Sequence, residues 1–191
     1  LKAQNFFLAG VGGQGILLAG EILCHVFLEA GLDVKKSEVH GMAQRGGSVT
    51  SHVRCGPRVF SPLIPEGEAD VLMGFEALEA LRWIHFLKKD GVLLVNRQQI
   101  NPTTVTSGRM NYPARIYDVL RKRHPRTRVV DGLKLAQKAG DVRAVNSVLV
   151  GAISREVDIP RESWERAIAG RVPARFVDLN LRAFRLGRGR R

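Results

Sequence analysis

Cysteine is scarce in this chain. Only Cys24 and Cys55 stand among its 191 residues. That excludes an iron–sulfur cluster held by this chain alone, since such a cluster needs about four thiolates. Neither belongs to a Cys-x-x-Cys pair. Cys24 falls in an apolar helical pattern and Cys55 at the end of a strand pattern, so two buried thiols in a reducing, cytoplasmic compartment are expected. Long apolar runs are missing too, and none approaches the ~20 residues of a membrane span. The opening "LKAQNFFLAG" has no basic region leading into a long apolar segment with a cleavage site, so no secretory leader is expected there. Acidic residues are few: 18 Asp and Glu against 30 Lys and Arg give a formal charge of +12. The excess gathers in "LRKRHPRTR" (120–128) and "LRAFRLGRGRR" (181–191). Such a field attracts phosphates, acidic protein surfaces and nucleic acid alike and does not choose among them.

The remaining composition, 45% hydrophobic and 25% charged, is that of an ordinary globular chain, long enough for one domain with a substantial core over 1–191. Residues 5–11 read as a buried parallel strand. Apolar residues from Gln14 to Ala30 recur at helical spacing, and Gly31 supplies a stop. Residues 32–40 read as a second strand, followed by the polar loop "GMAQRGG". The alternation of 48–64 around Gly56-Pro57 predicts a β-hairpin inserted on the sheet. "ADVLMGF" and 92–96 read as buried strands flanking a helix over 76–87. A helix at 116–123, the strand "TRVVDG", and helices near 133–139, 142–157, 161–170 and 174–186 follow, with a frayed end from Gly187. Alternating strands and helices predict an α/β, Rossmann-like and mostly parallel sheet with helices on both faces and a helical C-terminal section.

The first strand runs into Gly10, Gly12, Gly13, Gln14 and Gly15, and Gly10, Gly12 and Gly15 match the GxGxxG spacing of a nucleotide turn. Glycines there let the backbone turn tightly, and the helix N-terminus that follows offers N–H groups to an anion. Glu38 ends the second strand 23 residues beyond Gly15, near where a ribose-binding carboxylate is expected. The same glycines also serve a close strand–helix crossing with no ligand, so the motif is either a structural turn or an anion site.

"SEVHGMAQRGGSVTSHVR" (37–54) is more particular. His40, Gly41, Met42, Gln44, Arg45, Gly46, Gly47 and Ser48 form a charged, glycine-bearing loop at the carboxyl end of a strand, where α/β proteins place function. His40 and His52 lack the third and fourth partners of a metal site. Ser48, Ser51 and His52 lie close in sequence, but no carboxylate is identifiable to orient a nucleophile–base pair. Asn146, in "VNSVLVGA", either hydrogen-bonds to a neighbouring loop or is satisfied within its helix.

"GVGGQGILLAGEIL", "SEVHGMAQRGGSVTSHVR", "FSPLIPEGEADVLMGFEALEALR" and "VNSVLVGAIS" together resemble the gamma-type subunit of 2-oxoacid:ferredoxin oxidoreductases. Within it they are most like the indolepyruvate branch, for which "HGMAQRGGSV" is the specific part. The resemblance runs in order from about Asn5 to Leu186. It implies a Rossmann-like companion subunit that carries no cofactor. Thiamine diphosphate, magnesium and [4Fe-4S] clusters would belong to a large partner subunit. The assembled enzyme would convert an arylpyruvate and coenzyme A to an acyl-CoA and CO2, passing electrons to ferredoxin. The resemblance also implies that the glycine turn fixes the first crossing and that the Arg45 loop faces the partner near its active site. The chain itself has no GDG-then-Asn run for magnesium diphosphate. Two rival readings stand beside this one. A free-standing NAD(P)-binding oxidoreductase has Gly10, Gly12, Gly15 and Glu38 in its favour. A nucleic-acid module has the charge, but little aromatic interleaving and no recognised motif.

Overall fold

The computed structural model describes residues 2–40 and 47–189. Among these, β1 (Gln4–Val11), β2 (Asp33–His40), β3 (Ser48–Gly56), β4 (Ala69–Gly74), β5 (Leu87–Asn96) and β6 (Thr127–Val130) form one sheet in the order β2-β3-β1-β4-β5-β6. β1, β4, β5 and β6 are mutually parallel; β3 lies antiparallel between β1 and β2. The helices are α1 (Ile16–Glu29), α2 (Ala77–Trp83), α3 (Thr103–Thr106), α4 (Ile116–Arg123), α5 (Gly132–Ala139), α6 (Val145–Ile153), α7 (Arg161–Ala169) and α8 (Val177–Arg188).

Successive residues of a strand point to opposite faces, and β1 is apolar on both. Phe6 and Leu8 join a core with Val71, Met73 and Leu94 that α1, α6, α7 and α8 cover. Phe7 and Ala9 join a second core with Leu72, Leu93 and Val95 under α2 and α4. Burying strands on both faces is what makes 71–73 of β4 and 92–95 of β5 apolar at every position. The expected α/β sheet with helices on both faces is borne out. Among the described residues no helix is long and apolar enough to cross a membrane. Cys24 and Cys55 are free thiols, and burial pushes each up to about 11, which leaves them protonated and unreactive at neutral pH.

The inserted hairpin is not where the alternation places it. β3 ends at Gly56, and residues 57–68 form no strand; the antiparallel pair is β2 with β3. Pro57, Pro62 and Pro65 carry no N–H to donate to a ladder. Side chains satisfy the segment instead. Val59 N–H donates to Asp33 Oδ2 at 2.8 Å, and Arg54 Nη1 donates to the carbonyls of Ser61 and Leu63 at 3.1 and 3.0 Å. Ile64 N–H donates to His52 Nδ1 at 3.1 Å.

His52 is buried against Phe7 and Phe86, and burial holds its pKa below the ordinary imidazole value. The folded state therefore binds fewer protons than the unfolded one across the window below about pH 6.5. The stability this group contributes is present above that value and is lost as pH falls through the window. His52→Gln keeps an acceptor but cannot titrate. Denaturant midpoints at pH 7.5 and 5.5 should fall with pH more steeply for the native chain than for the variant. Equal slopes would remove His52 as the cause.

Candidate functional site

The glycine turn and the start of β3 meet at the carboxyl end of β1. Gly13 and Gly15 have φ of 99° and 77°, a region that costs most L-residues energy and glycine little. Gly10 is required by crowding. A Cβ there would lie 2.7 Å from both Gln14 Oε1 and Phe75 Cβ.

The side chain causing that crowding fills the turn. Gln14 Oε1 accepts the Val11 N–H at 2.7 Å, and its Nε2 donates to Phe75 O and to Gln98 Oε1, each at 3.0 Å. Gly12 N–H donates to Gly47 O at 2.9 Å. Asn96, fully buried, extends the chain of amides. Its Nδ2 donates to Phe75 O at 3.1 Å and to Gln98 Oε1 at 3.0 Å, and its Oδ1 accepts the Gly132 N–H at 3.1 Å. A ladder of amides thus ties the ends of β1, β4 and β5 to α5, across the crevice where open α/β sheets bind nucleotides. Three N–H groups of the turn, those of Val11, Gly12 and Gln14, are already engaged by the chain itself.

Strand order removes the second half of the dinucleotide reading. Glu38 pairs with Ser51, and Ser51 with Leu8, so β3 stands between Glu38 and the turn. Two strand spacings are about 10 Å. The Glu38 carboxylate lies 2.7 Å from Lys36 Nζ on its own strand.

His40 ends β2 opposite Val49. Gly41, Met42, Gln44, Arg45 and Gly46 lie outside the described residues. Gly47 and Ser48 are held in place: Gly47 by Gly12, Ser48 by its Oγ donating to Glu79 Oε2 at 2.5 Å. Trp83 Nε1 donates to the same carboxylate oxygen at 3.3 Å, and Arg82 Nε lies 3.2 Å from Oε1. One turn earlier Glu76 caps α2, its Oε2 accepting the Glu79 N–H at 2.9 Å. Glu76 Oε1 accepts from Ile100 N–H at 3.2 Å and from Tyr112 Oη at 2.5 Å. Both carboxylates are almost wholly buried, at 1% and 5% exposure. They face a cavity of about 120 Å³ shared with Val11, Ser48, Arg82 and Ile100. Burial first, and then the hydrogen bond to Glu76, drive the Tyr112 hydroxyl far above its ordinary pKa. Sequence reading missed this pair. Its signal was the spacing Glu76-x-x-Glu79 at a helix start, which is the spacing of a capping pair.

Ser51 and His52 point to opposite faces of β3, toward Gly20 of α1 and toward Phe7 and Phe86 respectively. No nucleophile–base pair forms between them. Asn146 Oδ1 accepts the Ser147 N–H within its own helix at 2.9 Å. Its side chain also packs on the turn, since a Cβ on Gly15 would lie 3.0 Å from its Nδ2. Among the described residues no group of three or more His, Cys, Asp or Glu side chains is placed to hold a metal ion.

Fold and site define a Rossmann-like domain whose nucleotide crevice is bridged from within and whose constructed surface lies beside the turn. The chain belongs to the pyruvate ferredoxin/flavodoxin oxidoreductase family, whose model matches residues 5–189. It is 41% identical to indolepyruvate oxidoreductase subunit IorB of Thermococcus kodakarensis, over 98% of this chain and 95% of that protein. The IorB subunit of Archaeoglobus fulgidus is 44% identical, over 96% and 92%. The crystal structure of a keto/oxoacid ferredoxin oxidoreductase gamma subunit from Geobacter sulfurreducens superimposes with a TM-score of 0.71 at 26% identity, over 96% of this chain and 95% of that one. The gamma-subunit resemblance read from the sequence is borne out.

Proposed function

We propose that the chain is the small, cofactor-free subunit of an arylpyruvate-type 2-oxoacid:ferredoxin oxidoreductase, a single gamma-type domain that works only with a large partner. The observation carrying this reading is its identity of 41% and 44% to two IorB subunits across 95% and 92% of their lengths. The partner holds thiamine diphosphate, magnesium and the [4Fe-4S] clusters. The joint reaction oxidatively decarboxylates the oxoacid to an acyl-CoA, with ferredoxin taking the electrons. Two features of the chain support this division: Gln14 occupies the turn a dinucleotide would need, and two cysteines are too few for a cluster. The His40–Ser48 loop faces the partner, and the Gly12–Gly47 and Ser48–Glu79 contacts fix its exit.

The chain alone, supplied with thiamine diphosphate and coenzyme A, should reduce no viologen dye with indolepyruvate. Co-expression with a large thiamine-diphosphate and iron–sulfur subunit should restore the reaction. Activity of the isolated chain, or an active complex that prefers pyruvate or 2-oxoglutarate, would overturn the reading.

A further inference from the structure

The edge of the sheet opposite the glycine turn carries a second constructed surface. Ala69 pairs with Leu87 and Val71 with Val92, so Lys88–Gly91 leave the β4–β5 ladder as surplus residues, which is a bulge. Gly91 permits the tight return: a Cβ there would lie 2.6 Å from Leu87 Cδ1 and 3.0 Å from the carbonyls of Ala69 and Asp70. His124 Nε2 lies 3.1 Å from Lys88 O, and because a carbonyl only accepts, that nitrogen bears the proton. Arg126 Nη1 donates to Asp90 O at 2.5 Å, and Lys88 Nζ reaches back to Asp70 Oδ1 at 2.7 Å. Thr127 Oγ1 closes the turn by donating to His124 O at 2.5 Å. The bulge, the last turn of α4 and the turn into β6 are thereby joined through fixed backbone groups.

This joined piece presents cations. Lys89, Lys122 and Arg123 are exposed and have no carboxylate partner among the described residues. Arg121 is paired with Asp118 at 3.3 Å. The three free cations border a concavity of about 530 Å³ floored by Ile84, Leu87, Pro125 and the buried His124. An apolar centre within a charged rim is the anatomy of a protein–protein contact. A nucleic-acid groove would instead offer aromatic faces for stacking, and of the described residues lining the hollow none is Phe, Tyr or Trp.

We propose that this patch, at the amino ends of β5 and β6, docks an acidic protein segment. Its carboxylates meet Lys89, Lys122 and Arg123, and one of its apolar side chains enters the hollow. The patch lies at the far edge of the sheet from the glycine turn, so both surfaces can be engaged at once. The proposal does not depend on which oxoacid the enzyme uses.

The test uses the full chain and two labelled probes: a peptide of alternating glutamate and leucine, and a single-stranded oligonucleotide of equal charge. The triple variant Lys89→Gln, Lys122→Gln, Arg123→Gln should weaken peptide binding tenfold or more at physiological salt. A control removing the same charge elsewhere, Arg109→Gln, Lys134→Gln, Lys138→Gln, should change it less than twofold. Equal losses in both variants would mean that only bulk charge is read, and the patch assignment would fail. Tighter binding of the oligonucleotide with the same dependence on the patch would replace the acidic protein with nucleic acid.

Discussion

Gln14→Ala should lower the melting temperature of the isolated chain by several degrees, and the emptied turn should still bind no NAD, NADP or FAD. The Val11 N–H loses its acceptor, Gln14 Oε1, and Val11 is only 7% exposed. An orphaned buried donor costs about 1–3 kcal/mol. Phe75 O and Gln98 Oε1 each lose one donor but keep Asn96 Nδ2, so their loss is smaller. The side chain also leaves a void at the crossing, and the sum is about 2–4 kcal/mol. For a chain of this size that corresponds to roughly 5–15 °C.

The second half of that expectation rests on the strand order. Clearing Gln14 frees the Val11 N–H, but Gly12 N–H still serves Gly47, and Glu38 still stands a strand too far away. Calorimetry with each dinucleotide, on native and variant chains, decides the matter. A dissociation constant in the low micromolar range for the native chain would restore the dinucleotide reading. Unchanged melting of the variant would mean that the amide ladder contributes nothing to the fold.

Sequence and structure agree where the signal is local. The continuous apolar run of β1, the helical spacing of α1 and the glycine stop at Gly31 each depend on residues a few places apart, and all were legible. The segment after Gly56 misled because Val59 and Ile64 continue the apolar punctuation of a strand. What decides its path is Asp33, Arg54 and His52 taking its N–H and C=O groups, with Asp33 26 residues from Val59. The amide ladder was illegible for the same reason. Gln14 meets Phe75 and Gln98 across separations of 61 and 84 residues, and no spacing rule reaches that far. GxGxxG records that the backbone must turn tightly; it does not record which group fills the turn. Of the candidate site, the nearness of the start of β3 to the glycine turn, Val11 opposite Ser48, follows from strand ends. The two buried carboxylates behind Ser48 were not legible, because a Glu-x-x-Glu pair reads equally well as an exposed helix start.

Arg45→Ala should leave the melting of the isolated chain nearly unchanged while sharply reducing the activity of the complex. An exposed surface substitution shifts stability by about 0.5 kcal/mol or less. Arg45 lies outside the described residues, and the expectation for it comes from its chemistry and its neighbours. Gln44 and Arg45 are long and polar, poorly suited to a core, and the guanidinium is a planar donor fork matched to a carboxylate or phosphate. Downstream, Gly47 O accepts the Gly12 N–H and the Ser48 hydroxyl donates to Glu79, so the entry to β3 is anchored. Losing a charge-assisted contact from a desolvated interface costs about 2–5 kcal/mol, which is roughly a thirtyfold to several-thousandfold loss in turnover or assembly. Arg45→Lys keeps the charge but not the fork and should recover only part of it. The measurement is thermal unfolding of the isolated chain beside arylpyruvate-dependent viologen reduction by the reconstituted complex. Full activity and assembly with Arg45→Ala would reduce the loop to a turn. A large drop in melting would make Arg45 a structural residue of this chain, with no part in the contact between subunits.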